Sequence, residues 1–177
     1  TLGTDYKGML VSDCLVSYNA IDCRKHKCIA HHLRVLAEHQ QELEKRGIHS
    51  YYLLLWKTLL RDVITTWNNR EVLSAGDYGR KCVQLFGGVK NLLDESPPEP
   101  EEVAFRNRLA RQRDHLLGCL GEPAAEPTNN RAERALRPAV ISRKFSCGNR
   151  TIAGKEAWVR LRSVTETLRR QATDLVD

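Results

Sequence analysis

No stretch of these 177 residues approaches the roughly twenty consecutive apolar residues that cross a bilayer, so a membrane-spanning helix is not expected. No internal repeat and no low-complexity tract is present, which sets aside repeat arrays and flexible linkers as organising principles. The opening Thr1-Leu2-Gly3-Thr4-Asp5-Tyr6 brings no initiator Met, no basic start and no apolar signal core, and predicts a segment from the middle of something longer. Cysteine is present but not patterned to staple a small secreted domain. Cys14, Cys23, Cys28, Cys82, Cys119 and Cys147 are scattered, mostly within apolar periodic segments, and a reducing cytosol fits them better than a disulfide framework.

What is there is the composition of a globular chain: 41% hydrophobic and 28% charged residues, long enough to bury a core as one domain or as a domain with an insertion. The net charge of +6 is modest, but its placement is uneven. Residues 131 to 172 hold eleven Arg or Lys against three Glu, whereas residues 94 to 102 hold five acids and no base. A basic C-terminal third favours a polyanionic partner, for which counterion release supplies affinity independent of sequence. An Arg-rich solvated helix face explains the same composition.

The pattern along the chain begins as strand and helix in alternation. Gly8-Met9-Leu10-Val11-Ser12-Asp13 predicts a buried strand that delivers Asp13 at its carboxyl end, and Leu15, Val16 and Tyr18 suit a short helix. Lys27-Cys28-Ile29-Ala30 reads as a second strand, and His31-His32-Leu33-Arg34 opens a helix toward Arg46. The class expected is therefore α/β with parallel neighbours. From Ser50 the pattern turns purely helical. Trp56, Leu59, Leu60, Val63, Ile64 and Trp67 form one apolar stripe, and helices are expected at about 74 to 94 and 99 to 118, separated by Ser96-Pro97-Pro98-Glu99-Pro100. Trp56 and Trp67 share a helical face, where core packing is the expectation and stacking on a flipped base the alternative. After Gly121 to Pro127 a helix starts near Asn130, to be kinked or ended by Pro138. A turn is expected at Ser146-Cys147-Gly148-Asn149, then a last helix from about Ala153 to Ala172 with Ala157, Trp158, Leu161, Val164 and Leu168 on its buried side.

The densest local signal is Pro127-Thr128-Asn129-Asn130-Arg131-Ala132-Glu133-Arg134-Ala135-Leu136-Arg137-Pro138, one carboxylate among three arginines just after two turn-forming asparagines. Asn130 as a helix cap leaves Glu133 three residues later, with Arg134 and Arg137 on neighbouring faces. A capping box between Asn130 and Glu133 accounts for this spacing, and so does a carboxylate serving a metal beside a phosphate. Asp13 and Glu133 together have the oxygen chemistry to hold Mg²⁺, and a second ion about 4 Å away would let the pair act on a phosphodiester. Cys23, His26, Cys28 and His31 or His32 also have zinc-ligand identities at close spacing, although a strand through Cys28 would splay them.

Leu10-Val11-Ser12-Asp13 with Tyr18, Lys27-Cys28-Ile29-Ala30-His31-His32-Leu33-Arg34, and the 127 to 138 segment with Ser142-Arg143-Lys144 and Gly148 resemble the insertion sequence 66 family of bacterial transposases. The Asn-Asn-x-x-Glu-Arg-x-Leu-Arg-Pro block is highly specific, and the resemblance covers nearly the whole chain. It implies a ribonuclease-H-like fold with an Asp-Asp-Glu metal triad, predominantly helical overall and incomplete here. On this resemblance residues 1–49 and 123–177 are parts of that core and 50–122 a large all-helical insertion. Asp13 is then the second Asp and Glu133 the Glu, both metal ligands for two Mg²⁺ ions. The first Asp belongs to an earlier strand that has no counterpart here: Asp5 stands eight positions before Asp13, too close for a separate strand, and Asp22 follows it. The segment as given is accordingly expected to be inactive alone.

Cys28-Ile29-Ala30-His31 resembles a Cys-x-x-His element found after the second Asp in transposases with helical insertions, which gives His31 a contact to the scissile phosphate. Arg131, Arg134, Arg137, Arg143 and Lys144 are the candidates for DNA phosphates. The implied activity is cleavage and transfer of DNA strands in transposition. The implied partners are transposon ends and target DNA, with no membrane, in a dimer or higher assembly. The implied location is the bacterial cytoplasm, in use at the nucleoid. The alternative is a non-catalytic nucleic-acid-binding remnant of a mobile element.

Overall fold

The computed structural model describes residues 6–145 and 151–171, so the turn expected at 146 to 149 lies outside the described residues. The chain divides into two compact units, Thr1–Asn129 and Asn130–Asp177. Among the described residues there are two strands and seven α-helices, an α/β architecture that is predominantly helical.

In the first unit, β1 (Met9–Ser12) and β2 (Arg24–Lys27) pair in parallel, with Met9 opposite Arg24 and Ser12 opposite Lys27. A 3-10 turn at Val16–Ala20 lies in the connection between them. The second strand is three residues earlier than the apolar run suggested. The Cys28 N–H donates to the Ser12 carbonyl at 2.8 Å, Cys28 then caps α1 (Ile29–Lys45), and Ile29 and Ala30 are already helical. The apolar run is thus the start of a buried helix, and the strand itself is the basic tetrapeptide Arg24-Lys25-His26-Lys27.

The helices that follow build the core. Ser50 caps α2 (Tyr51–Asn68) by accepting the Leu53 N–H at 2.9 Å, and its hydroxyl donates to the buried Glu102 carboxylate. Glu102 also takes the Glu99 N–H at 3.2 Å, closing a capping box on α4 (Pro100–Ala110). One serine therefore joins the N-termini of two helices. Between them, α3 (Ala75–Asp94) is capped by Ser74 and follows the expected bounds. The helix expected over 99 to 118 breaks after Ala110. The chain bends through α5 (Arg113–Leu116) and a 3-10 turn at Gly118–Gly121, which puts Leu116, Leu117 and Cys119 into the core. Gly118 is required there, because a Cβ would lie 2.9 Å from the Lys25 carbonyl oxygen.

Trp56 is fully buried, edge-on to Tyr52 and Phe105 at centroid distances of 6.4 and 6.2 Å. Trp67 is half-buried, and the Arg70 guanidinium covers its ring at 3.7 Å. Core packing therefore accounts for Trp56, and Trp67 is closed off by its own helix end.

In the second unit, α6 (Asn130–Phe145) includes Asn130 as its first residue and continues past Pro138 rather than ending there. Thr151 caps α7 (Ile152–Arg170) by accepting the Gly154 N–H at 3.0 Å. The apolar side expected for α7 is not buried: Leu161 is 69% and Val164 56% exposed, Ala157 is exposed, and Trp158 and Leu168 are half-buried. Two helices of 16 and 19 residues offer too little mass to cover a full apolar stripe.

Trp56→Ala is expected to lower the stability of the chain by about 3–5 kcal/mol, read as a shift of the urea midpoint. A loss below about 1 kcal/mol would mean that the helical core does not depend on this ring.

Candidate functional site

Asp13 stands just past the end of β1, half-buried, where its Oδ1 accepts the Leu15 N–H at 3.1 Å. That local bond fixes the direction of the carboxylate. The Asp13 backbone carbonyl accepts from the Ser12 hydroxyl at 3.0 Å and from Lys27 Nζ at 3.4 Å. Lys27 is fully buried at the end of β2. Its ammonium also donates to Ser12 Oγ at 3.4 Å and lies 5.9 Å from the centre of the Tyr18 ring. Burial pulls the Lys27 pKa below the usual lysine range, against the charges of Cys14 and Asp13.

The next residue, Cys14, places Sγ 3.6 Å from His32 Nε2. Burial raises the Cys14 pKa, and Arg108 of α4 opposes that rise through its charge and a hydrogen bond to the thiol. His32 is fully buried on α1. Its pKa is lowered to about 3, chiefly by burial and then by Arg108 and the neighbouring cationic groups. Sequence reasoning missed Lys27, Arg108 and His32 as members of one cluster. The available signal was weak: a lysine at the end of a strand, and an arginine next to a core leucine in a helix rich in arginine.

A second construction lies at the β2–α1 junction. The Pro127 carbonyl accepts the Ile29 N–H at 2.9 Å and faces His26 Nε2 at 3.1 Å, so the neutral ring donates there. The Asn129 N–H points at Cys28 Sγ at 3.3 Å. These bonds tie Pro127-Thr128-Asn129 to the first unit, and the chain enters α6 at the next residue. They also overturn the zinc reading. His26 is turned to a carbonyl and Cys28 to a backbone N–H, and among the described residues no group of three His, Cys, Asp or Glu is placed to hold a metal.

The remaining expected site residues divide between the units. His31 is half-buried in the first turn of α1, its N–H donating to the Cys28 carbonyl at 3.2 Å. Glu133 is exposed in the first turn of α6. Arg131, Arg134 and Arg137 are exposed on α6, and Arg143 and Lys144 are exposed in its last turn. Asp13 and His31 thus belong to the first unit, and Glu133 with the five basic residues to the second.

Burial holds His26, His32 and His115 below the usual histidine range. A histidine lowered in the fold contributes stability that is present above the unfolded value near 6.5 and lost as pH falls through it, for His32 down to about 3. The chain is therefore expected to lose stability between pH 7 and 5, by at most about 1.4 kcal/mol per pH unit for each such group. His32→Gln should flatten that dependence, as followed by urea midpoints across the range. Parallel pH profiles for the two proteins would refute the neutral burial of His32.

In comparisons with known proteins, no curated protein and no solved structure gives a match. The family model described as Transposase IS66 family matches residues 1–157, which include β1 with Asp13, the helical segment, the 127 to 138 block and the start of α7. That coverage places the chain in the IS66 family of transposases.

Proposed function

We propose that this chain carries part of a metal-dependent centre for DNA strand cleavage and transfer, on a ribonuclease-H-like core formed by residues 1–49 and 123–177, with 50–122 as the helical insertion. The observation that supports it most is the position of Asp13. It lies at the carboxyl end of a strand in a parallel pair, where α/β proteins bind ligands. One of its oxygens is engaged by a backbone N–H and the other meets no protein donor among the described residues. That half-free, pre-oriented carboxylate fits a hard cation.

On this reading Asp13 and Glu133 are the Mg²⁺ ligands that this chain contributes. Magnesium held there would supply activation of the attacking oxygen and stabilisation of the leaving oxygen of a phosphodiester displacement. The chain's own residues bind and orient. His31 positions the scissile phosphate, and Arg131, Arg134, Arg137, Arg143 and Lys144 neutralise backbone phosphates. Water first replaces the bridging oxygen at the transposon end, freeing a 3′-hydroxyl. That hydroxyl then attacks a target phosphodiester, exchanging one P–O bond for another, with no covalent bond to protein. Two copies acting on paired ends, in the cytoplasm at the nucleoid, complete the proposal.

A second reading, DNA binding without cleavage, draws on the excess of exposed Arg and Lys along α6.

In the protein that carries this chain, Asp13→Asn or Glu133→Gln should abolish Mg²⁺-dependent nicking of transposon-end DNA while changing the DNA Kd by less than about threefold. Undiminished nicking by either variant would sink the metal-ligand assignment. Salt-dependent DNA affinity in a protein that never nicks would favour the second reading.

A further inference from the structure

The outer face of α3 carries apolar side chains that its own unit leaves in solvent. Tyr78, Cys82, Leu85, Val89 and Leu92 turn to the core. About a third of a turn around the same helix run Gly76, Gly79, Val83, Phe86 and Lys90, all exposed. Val83 is 72% and Phe86 55% exposed, and Val72, in the turn just before α3, is 85% exposed. Phe86 also forms one wall of a groove of about 610 Å³, together with Val89, Leu93 and Leu117, that opens beside this face. Gly79 and Gly87 have nothing within 4 Å of where a Cβ would stand, so packing within the unit does not call for either. Glycine inside a helix nevertheless weakens it relative to alanine.

The exposed residues from Gly76 to Lys90 fall at steps of three, four, three and four, the 3.5-residue repeat of a seam between two helices. Laid antiparallel against a second copy of itself, this seam has one register in which each large residue meets a glycine. Phe86 falls opposite Gly76 of the second copy and Val83 opposite its Gly79, and symmetry repeats both pairs. The same register carries Lys90 to the end of the second copy where Glu71 stands, with side chains 76% and 81% exposed, so each end of the seam gains an opposite charge. Arg80, beside the middle of the seam, is already matched by Asp77 of its own helix. Five positions over roughly 21 Å of helix make an interface at the small end of specific ones, below about 1,200 Å², so the pairing is weak.

We propose that the exposed face of α3 is a self-association surface, which pairs antiparallel with α3 of a second copy of this chain. The glycines then have a use, because they let the second helix come close and receive its Phe86 and Val83. This deepens the two-copy assembly of the strand-transfer reading and rests on that reading for its purpose, while the contact itself needs neither DNA nor metal.

The test is sedimentation equilibrium of the whole chain up to about 200 µM, without DNA or divalent metal, where a monomer–dimer equilibrium with a Kd on the order of 10 µM is expected. Phe86→Glu should weaken the dimer at least tenfold. Gly79→Leu should weaken it as much while holding or raising the thermal midpoint, because its side chain enters open space and favours helix. That pairing of a sturdier monomer with a lost dimer is what a merely structural role for α3 would not produce. Val159→Glu, on the exposed side of α7, should leave the equilibrium unchanged. A wild-type chain that stays monomeric overturns the surface. So does a dimer indifferent to both α3 variants, or one lost only in Val159→Glu. A chain that nicks DNA but never dimerises sinks this surface alone, and a dimer through α3 that never nicks sinks the strand-transfer reading alone.

Discussion

The Pro127 carbonyl is the point on which the first unit closes. It accepts from Ile29 N and faces His26 Nε2, groups about 100 residues away along the chain. Everything between them, from α1 through the 3-10 turn at Gly118, is a loop whose ends this oxygen holds together. Bringing such distant segments together costs entropy only slowly with length, so a long helical excursion is tolerable if its return is anchored. The anchor uses groups that would otherwise be unsatisfied. Ile29 N–H is a first-turn donor of α1 with no partner inside its own helix. His26 is buried and must find an acceptor for its ring proton.

The same economy makes the neighbourhood of β1 electrostatically lopsided. β2 is basic throughout, yet two of its side chains are buried. A buried lysine is tolerated because it gives its protons to the Asp13 carbonyl and the Ser12 hydroxyl. Asp13 therefore presents its carboxylate beside a backbone carbonyl that already takes a buried ammonium.

Much of this was legible in the sequence, and the rest was hidden for definable reasons. The strand that leads into Asp13 and the helices over Tyr51–Asn68 and Ala75–Asp94 carry period and caps that are local properties of the chain. β2 was misplaced because Arg24-Lys25-His26-Lys27 has no apolar residue to reveal a buried strand, while Cys28-Ile29-Ala30 has strand-like composition and is helical. The break after Ala110 was invisible because nothing local forces it; the demand comes from the Gly118 backbone meeting Lys25. Asp13, His31, Glu133 and the basic residues came from a motif, which names residue types at spacings. Lys27 and His32 came into view only with the fold, because their partners Ser12 and Cys14 are 15 and 18 residues away.

The boundary between the two compact units falls inside the densest motif of the sequence, between Asn129 and Asn130. The first asparagine is held by a cysteine sulfur and the second is already helix. Each residue of an α-helix advances the side-chain direction by about 100°. Within α6, a single residue inserted between Asn130 and Glu133 would therefore carry the carboxylate more than a quarter turn around the axis of that helix, though every side chain of the motif were kept.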